Sequence, residues 1–470
     1  MTTTTTTTAP RSPPVFDGGM PIVGALPWMR RDALGLLLAA HKAGGDVVNI
    51  NFGVRKITLL ASPTAVERAL VGEVKNYVKQ TRGYQVLRKL LGNGLVTSEG
   101  SFWLRQRRIA APAFHKEKIA GFATTMQQCT DDMLRKWEGT HLQGGAFDVD
   151  KEMMSLTMRI AALTLLSTDV DGQTSDVGHA LSELVERQVF QRVTMPFDLP
   201  MSWPTPMNRR FNRARNTLDE IVMGIIRDRR EGPAKPDLLS MLMGARDEET
   251  GEGMSDLQLR DEVMTLFLAG HETTASSLGF TLWLLANHPA IEARAREEVL
   301  RVCRADGDVD VGSVMRMPFL DAVFNEAMRV LPPIPLLARR CNSGDVVDGF
   351  TIAPMSLVFL SPYVTHRLAR WWKDPERFDP TRFLEGGEAH EDGRPKYAYF
   401  PFAGGPRKCI GDVFARLEQK VCMARMLQRV RFTSLPTPKV EPMLAVSIRA
   451  RHGIPMTVRP TTTTTTTSPS

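Results

Sequence analysis

Apolar residues recur at intervals of three and four from about residue 100 to residue 330, and this spacing predicts helices. Polar loops such as HLQGGAFD and REGPAKPD separate the helical stretches. Strand-like patterns lie towards the two chain ends, at 47–60, where Gly53 would close a two-stranded element, and at 346–362 and 442–458. We therefore predict a mainly α (α+β) protein, a single large domain with small β-sheets from both chain ends.

One predicted helix is unusually long and runs from Asp256 to about Asn287. Ser255 stands at its N-cap position and Gln258 at the third helical position, which is the pattern of a capping box, and Pro289 follows the helix. At about 1.5 Å per residue such a helix would extend about 48 Å. It is therefore long enough to cross the whole predicted domain.

The composition is that of a globular protein with a core, since 43% of the 470 residues are hydrophobic and 24% are charged. The net charge of +7 is spread along the chain, which favours an acidic partner but not a nucleic acid. Five cysteines without a CxxC pair argue against a secreted disulfide framework. We therefore expect a cytoplasmic protein.

Neither chain end has the pattern of a targeting or membrane segment. Residues 1–14 and 461–470 are rich in Thr and are predicted to be disordered tails around a domain that spans 15–460. The longest apolar stretch, 263–286, is interrupted near its centre by His271 and Glu272, which would be costly in lipid. We expect a buried core helix there and no membrane anchor.

The strongest chemical pattern is the loop FAGGPRKCIG, residues 402–411, which precedes a helix predicted at Val413–Val430. A cysteine at a helix N-terminus faces backbone N–H groups and the positive end of the dipole, and Arg407 and Lys408 add positive charge. These features favour a thiolate at Cys409, while glycines in the loop would let the backbone approach a flat ligand. The alternative from these residues alone is a buried structural cysteine beside a helix cap.

In order and spacing, Phe402, Gly405, Arg407, Cys409 and Gly411 resemble the haem-binding loop of the cytochrome P450 superfamily. The resemblance implies a haem b cofactor with Cys409 as the axial iron ligand, whose electron donation assists O–O cleavage. It also implies the fold of a soluble, bacterial-type haem-thiolate monooxygenase, in which the long predicted helix crosses the domain beside the haem.

A second motif, Ala269-Gly-His-Glu-Thr-Thr274, places polar residues in the middle of that apolar helix, where they need hydrogen-bonding partners. By the same resemblance, Thr273 is the alcohol that steadies activated oxygen, and Glu272 is the acid that relays protons from solvent. Gly270 would leave room for a small ligand. His271 is interpreted as turned away from the iron. The alternative for the motif alone is a helix whose polar residues satisfy one another.

A third motif, Glu326-Ala-Met-Arg329, places two opposite charges on one helix face, where an exposed pair would be common and weak. The resemblance implies instead a buried network completed by an arginine from a Pro-Glu-Arg-Phe stretch. That stretch is Pro375–Phe378 here, so Arg377 is predicted as the third member. We assign the trio a structural role behind the haem.

Two further segments supply candidate ligands for the haem propionates. Trp103 and Arg107 are four residues apart and share a helix face, which suits an indole N–H and a guanidinium to carboxylates. The alternative is a solvated basic face. Arg407 and Arg339 match other propionate contacts of the family, although Arg340 competes with Arg339 for this role.

The resemblance implies a hydrophobic substrate, O2, and electrons from a separate ferredoxin or flavodoxin with its reductase. Basic residues near Cys409 and on the Trp103 helix form a candidate docking face for such an acidic partner, namely Arg105, Arg108, Lys408, Arg416 and Lys420. The alternative for each of these residues is an ordinary solvated surface.

By family position, the substrate pocket draws on residues 80–98, about 190–206, 265–274, 334–338 and Leu444–Val446. The candidate lining residues are mainly apolar, which predicts a fatty acid, terpenoid, steroid or polyketide: Met195, Phe197, Met201, Trp203 and Phe267. The segment from Met195 to Met207 is a candidate mobile cover over that pocket.

Two other classes of function compete with this interpretation. One is a haem-thiolate sensor or electron-transfer protein. The other is a non-oxygenating family member such as an isomerase, a dehydratase or a peroxygenase. The pair Glu272 and Thr273 weighs against both classes, because neither class needs an acid and an alcohol beside bound oxygen.

Overall fold

The computed structural model of the protein describes residues 9–53, 55–169, 202–305 and 307–461. Helices form most of this part of the chain. In chain order they are α1 (Leu26–Arg31), α2 (Ala33–Gly44), α3 (Pro63–Glu67), α4 (Arg82–Leu91), α5 (Gly100–Ala110), α6 (Lys116–Ala120), α7 (Ala123–Glu138), α8 (Val149–Leu166), α9 (Pro206–Glu231), α10 (Leu238–Gly244), α11 (Asp256–Asn287), α12 (Pro289–Cys303), α13 (Val311–Val314), α14 (Pro318–Val330), α15 (Pro362–Thr365) and α16 (Asp412–Arg429).

Within the described residues, the strands form one larger sheet and three small ones. They are β1 (Val15–Phe16), β2 (Val47–Phe52), β3 (Arg55–Leu60), β4 (Tyr77–Val78), β5 (Phe147–Asp148), β6 (Leu337–Cys341), β7 (Asp345–Val347), β8 (Phe350–Ile352), β9 (Ser356–Leu360), β10 (Val430–Ser434), β11 (Pro442–Leu444), β12 (Ile448–Ala450) and β13 (Pro455–Pro460). The larger sheet has the order β1-β2-β3-β9-β6-β4, and the others are β10-β13-β5, β11-β12 and β7-β8. The predicted mainly α fold with sheets from both chain ends is confirmed.

The central helix α11 organises the core, and its predicted bounds are those observed. Its capping box is complete, because Ser255 N donates to Gln258 Oε1 at 2.8 Å and Gln258 N donates to Ser255 Oγ at 3.3 Å. The helix packs against α8, α9, α14 and α16, so most of its surface is buried. Such a helix is a rigid frame for side chains that project from its middle.

The predicted two-stranded element at 47–60 is present as the antiparallel pair β2 and β3. Gly53 closes it with a φ of +73°, a backbone conformation that favours glycine. The predicted helix Val413–Val430 is α16, which begins and ends one residue earlier. Among the described residues, no helix is long and apolar enough to cross a membrane.

Several predictions fall on residues that the structure does not describe. Residues 1–8 and 462–470, most of the predicted tails, lie outside the described residues, as do Met195, Phe197 and Met201 of the predicted pocket and cover. The chain is already paired before residue 15, because Asn49 N donates to Pro14 O at 2.8 Å and Arg11 N donates to Gly349 O at 3.0 Å. Arg11 and Pro14, which the prediction assigned to the tail, therefore hydrogen-bond to the domain.

Candidate active site

The cysteine loop is a tight turn held by its own backbone. Cys409 N donates to Phe402 O at 3.0 Å, and Lys408 N donates to Gly405 O at 3.1 Å. Gly405 has a φ of +63°, and a Cβ there would lie 2.0 Å from Leu70 O, so only glycine fits. The reason for this glycine is therefore the fold of the loop, whereas the sequence suggested access for a flat ligand.

Cys409 is the exposed cysteine of the five, and the other four are buried. Desolvation by the surrounding protein raises the pKa of its thiol, although the Gly411 N–H and the charges of Arg107 and Lys408 act in the opposite direction. The helix terminus and the cations thus act on this pKa in the predicted direction, and desolvation opposes them. A bound metal cation would supply the missing positive charge.

Four cationic side chains meet beside this loop: Lys79, Arg107, Arg339 and Arg407. Burial together with Arg339 and Arg407 holds the pKa of Lys79 well below its usual range. Burial together with Arg339 and Arg107 lowers the pKa of Arg407 to about 10, against the opposing effect of Glu99. Burial makes the larger contribution to both shifts, and the repulsion between the cations adds to it, so the cluster is complementary to an anionic ligand.

Two cations of the cluster, Arg407 and Arg339, are held in place by the protein. The Arg407 guanidinium stacks 3.8 Å from the Trp103 ring centroid, and its Nη1 donates to Ser98 O at 2.9 Å. Arg339 is buried, and its Nη1 lies 3.2 Å from the Tyr84 hydroxyl. Arg340 points to the opposite side of β6, where it bonds Asn342 at 3.0 Å, so Arg339 is the arginine in the cluster.

The motif on α11 divides between two faces of the helix. Ala269, Gly270 and Thr273 are at least partly accessible in the middle of an otherwise buried helix, and the Thr273 hydroxyl donates to Ala269 O at 2.7 Å. Glu272 is only 3% exposed and accepts a 2.6 Å hydrogen bond from Ser447 Oγ. The acid and the alcohol are therefore neighbours in sequence that face different surroundings.

His271 is buried beside these residues. Its Nδ1 lies 2.7 Å from Phe267 O, and the two rings are 5.2 Å apart. Its own carbonyl accepts a bond from the Thr157 hydroxyl at 2.9 Å. These contacts are those of a core histidine and agree with the interpretation that it is not a ligand.

The buried ion network contains a different third member from the one predicted. Glu326 and Arg329 are fully buried and pair at 2.6 Å. Arg382 Nε lies 3.3 Å from Glu326 Oε1, and its side chain is 7% exposed. Arg377 is 69% exposed and offers only its main-chain carbonyl to Arg329. The prediction of Arg377 was wrong, because the chain turns at Asp379 and brings the next arginine inside.

The predicted docking residues are paired with carboxylates. Arg105 lies 3.0 Å from Glu252 and Arg108 lies 3.0 Å from Asp247. The other three basic residues also have acidic partners: Lys408 has Asp412, and Arg416 and Lys420 share Asp321. The excess of positive charge on this face is thus smaller than the sequence suggested.

Residues 80–98 were predicted to supply part of an apolar pocket wall, but the cavity found there has a lining of polar residues. A cavity of about 360 Å³ there is lined by Lys79, Gln80, Tyr84, Gln85, Arg88, Asn93 and Glu99. Trp203, another predicted lining residue, is 54% exposed, whereas Phe267 on α11 is partly buried and packs against the core. This cavity adjoins the cation cluster rather than forming an apolar chamber.

Three side chains of this region were missed by sequence reasoning: Lys79, Glu99 and Ser447. None belongs to a motif, and each reaches the site through pairing between segments distant in sequence. Arg382 could have been found, because Pro380-Thr-Arg-Phe383 repeats the pattern of Pro375–Phe378 five residues later.

The residues present fit a haem group. Cys409 offers an accessible thiol, the cation cluster offers partners for two propionates, and a Cβ at Gly270 would meet no atom within 4 Å. Haem iron is held by a cysteine thiolate in one class of protein, and arginines are suited to bidentate pairing with carboxylates.

Comparison with known proteins gives the same answer. Residues 13–454 match the family model described as Cytochrome P450. Cyclooctatin synthase of Streptomyces melanosporofaciens is 36% identical, over 93% of this chain and 93% of that protein. Cyclooctat-9-en-7-ol 5-monooxygenase of the same organism is 34% identical, over 92% and 90%. Pentalenene oxygenase of Streptomyces avermitilis is 30% identical, over 92% and 94%.

Two solved structures share the fold across nearly the whole chain. The cytochrome P450DA heme domain superposes with a TM-score of 0.87 at 26% identity, covering 96% of this chain and 98% of that one. Retinoic acid bound cyanobacterial CYP120A1 superposes with a TM-score of 0.83 at 25% identity, covering 96% and 100%.

Proposed function

This chain belongs to the cytochrome P450 family and is a haem monooxygenase that oxidises a hydrophobic small molecule, and we propose that its substrate is a cyclic terpenoid. The observation that carries this choice is the similarity, over more than nine-tenths of the chain, to oxygenases whose names specify cyclooctat-9-en-7-ol and pentalenene. Hydroxylation or epoxidation of an apolar ring system is the reaction expected.

Cys409 is proposed as the thiolate that binds the haem iron, and the haem, when bound, supplies the activation of O2. Arg107, Arg339, Arg407 and Lys79 would bind the propionates, with Trp103 orienting Arg407 by stacking. Because these cations repel one another, the two propionate carboxylates would reduce the electrostatic repulsion within the cluster.

Glu272 and Thr273 are proposed to deliver protons to the accessible side of α11. The Thr273 side chain is partly exposed there. Its hydroxyl donates its proton to Ala269 O, so the hydroxyl oxygen is available to accept a hydrogen bond. Glu272 is buried and holds the acid function out of contact with bulk water. Because the two side chains face different surroundings, water molecules would bridge them.

Electrons come from a separate redox partner, and we propose a ferredoxin or flavodoxin that approaches the side of Cys409. Lys408 is half exposed next to this cysteine, and Arg416 and Lys420 together outnumber the Asp321 carboxylate that they share. All five cysteines are unpaired, which supports a reducing compartment and thus the cytoplasm as the place of action.

A substrate-binding screen tests the choice of a terpenoid. We expect cyclooctat-9-en-7-ol or pentalenene to change the spin state of the ferric haem at a dissociation constant about tenfold or more below that of a fatty acid or a steroid, a difference of about 1.4 kcal/mol or more. Optical titration of the purified protein measures this. Tighter binding of the fatty acid or the steroid would contradict the proposal.

Thr273→Ala should uncouple electron consumption from product formation. We expect haem content and substrate affinity close to the wild type, product per electron lower by a factor on the order of ten or more, and hydrogen peroxide in its place. Thr281→Ala is the matched control, because the Thr281 hydroxyl makes the same backbone bond on the same helix but is fully buried. Equal product yields in the two variants would remove Thr273 from the relay.

A further inference from the structure

Glu272 lies on the face of α11 that meets the hairpin of β11 and β12. Glu272, Ser276 and Gly279 follow one another at helical spacing on this face, whereas Thr273 is turned by about 100° towards the accessible side. The carboxylate of the proposed relay thus points towards the C-terminal hairpin, away from the side where protons are needed.

Ser447 connects this hairpin to the carboxylate. It is fully buried between β11 and β12, and its Oγ donates to Glu272 Oε1 at 2.6 Å. The backbone on either side is fixed, because Ser276 Oγ donates to Ile448 O at 2.7 Å and Ile448 N donates to Pro333 O at 2.8 Å. The hydroxyl is therefore a donor held in place before any ligand arrives.

The charged groups near Glu272 come from two neighbouring elements. Asp150 of α8 is buried, and burial raises its pKa, with a smaller contribution in the same direction from Glu272. Arg449 of β12, two residues after Ser447, lies 3.0 Å from the Asp150 carboxylate. The hairpin thus supplies a hydroxyl to Glu272 and a cation to its acidic neighbour.

We infer that Ser447 is a positioning residue that holds Glu272 in a resting orientation and so controls when the acid can serve Thr273. The inference rests on the proposed relay role of Glu272. The hairpin turn at Ala445 and Val446 is partly exposed next to the fully buried Ser447, so a molecule that contacts the turn acts on the donor directly. Because Leu444–Val446 are predicted to line the substrate pocket, proton delivery would be linked to occupation of that pocket.

The direct test is the infrared absorption of the Glu272 carboxyl group in protein labelled with 13C-glutamate, using Glu272→Gln to assign the band. We expect Ser447→Ala to shift this band and to lower product per electron, because the freed acid would no longer be withheld until the substrate is bound. The expected decrease is about 2- to 10-fold, the range for losing one hydrogen bond. The reduced CO spectrum, recorded alongside, should stay that of the wild type.

Ser276→Ala is the matched control. The Ser276 hydroxyl lies one turn along the same helix face and bonds the same hairpin, but it contacts the Ile448 carbonyl rather than Glu272. We expect this variant to leave the Glu272 band and the product yield unchanged. Equal effects of both substitutions would assign the change to hairpin packing and overturn the inference.

Failure of the inference can be separated from failure of the relay. If Glu272→Gln uncouples the reaction but Ser447→Ala changes neither the band nor the yield, the positioning role is wrong and the relay stands. If Glu272→Gln leaves product per electron unchanged, Glu272 is not the relay acid and the inference falls with it.

Discussion

Cys409→Ser should abolish the red-shifted Soret band that reduced, thiolate-ligated haem shows with carbon monoxide. A serine hydroxyl does not provide the soft, electron-rich sulfur ligand that defines this spectrum, so we expect complete loss of the band and of monooxygenase activity. The fold should persist, because Cys409 is exposed and its contacts in the loop are made by the backbone. Circular dichroism and the CO difference spectrum measure the two effects separately.

Cys303→Ser is the matched control for this substitution. Cys303 is buried at the end of α12, far along the chain from the loop, and the same change of sulfur to oxygen there should leave the CO band intact. A normal band in Cys409→Ser, or its loss from the folded Cys303→Ser protein, would show that another cysteine holds the iron.

Arg382→Ala should lower the free energy of unfolding by about 3–5 kcal/mol and abolish haem incorporation, because it leaves the buried Glu326 carboxylate without one of its two cationic partners. Arg377→Ala should change that free energy by about 0.5 kcal/mol or less, since the Arg377 side chain is exposed. The two arginines occupy equivalent places in adjacent Pro-x-Arg-Phe segments, so each variant controls for the other.

Chemical denaturation of both variants and the haem-to-protein absorbance ratio after purification provide the comparison. Loss of stability in Arg377→Ala together with a stable Arg382→Ala protein would restore the assignment made from the sequence. If Arg382→Ala lowers the free energy of unfolding as predicted but keeps its full haem content, the network stabilises the fold and is not needed for haem incorporation.

The central helix could be predicted to the residue because its determinants are local. Ser255 and Gln258 fix the start of the helix and Pro289 fixes its end. The spacing of apolar residues between them fits a helix and not a strand. The cysteine loop could be predicted for the same reason, since its identity lies in ten consecutive residues. Features that one segment determines alone are accessible from one sequence.

Features that join distant segments were less accessible. Lys79 meets Arg407 across more than three hundred residues, and Ser447 meets Glu272 across 175. No local pattern encodes either pairing. The choice between Arg377 and Arg382 depends on where the chain turns after Phe378, a turn that Asp379 makes by accepting a bond from Thr381 N at 3.1 Å.

The pKa of Cys409 shows a different limit. Helix position and neighbouring cations were identified from the sequence as favouring the thiolate, whereas the desolvation that opposes them depends on how distant parts of the chain pack around the loop. The sign of the net shift follows from a difference between two large effects. A sequence shows which charges lie near the cysteine, but it does not show how far the folded protein desolvates the thiol.

The larger sheet has a consequence for the order of events during synthesis. Strand β3 pairs in parallel with β9, with Ile57 opposite Leu357, so about 300 residues must be translated before that pairing forms. At roughly 5–20 residues per second, this takes on the order of 15–60 s, during which the β2–β3 hairpin carries an unpaired edge on the ribosome. A chaperone that shields nascent strand edges would therefore raise the yield of native enzyme more than one that acts on the completed chain.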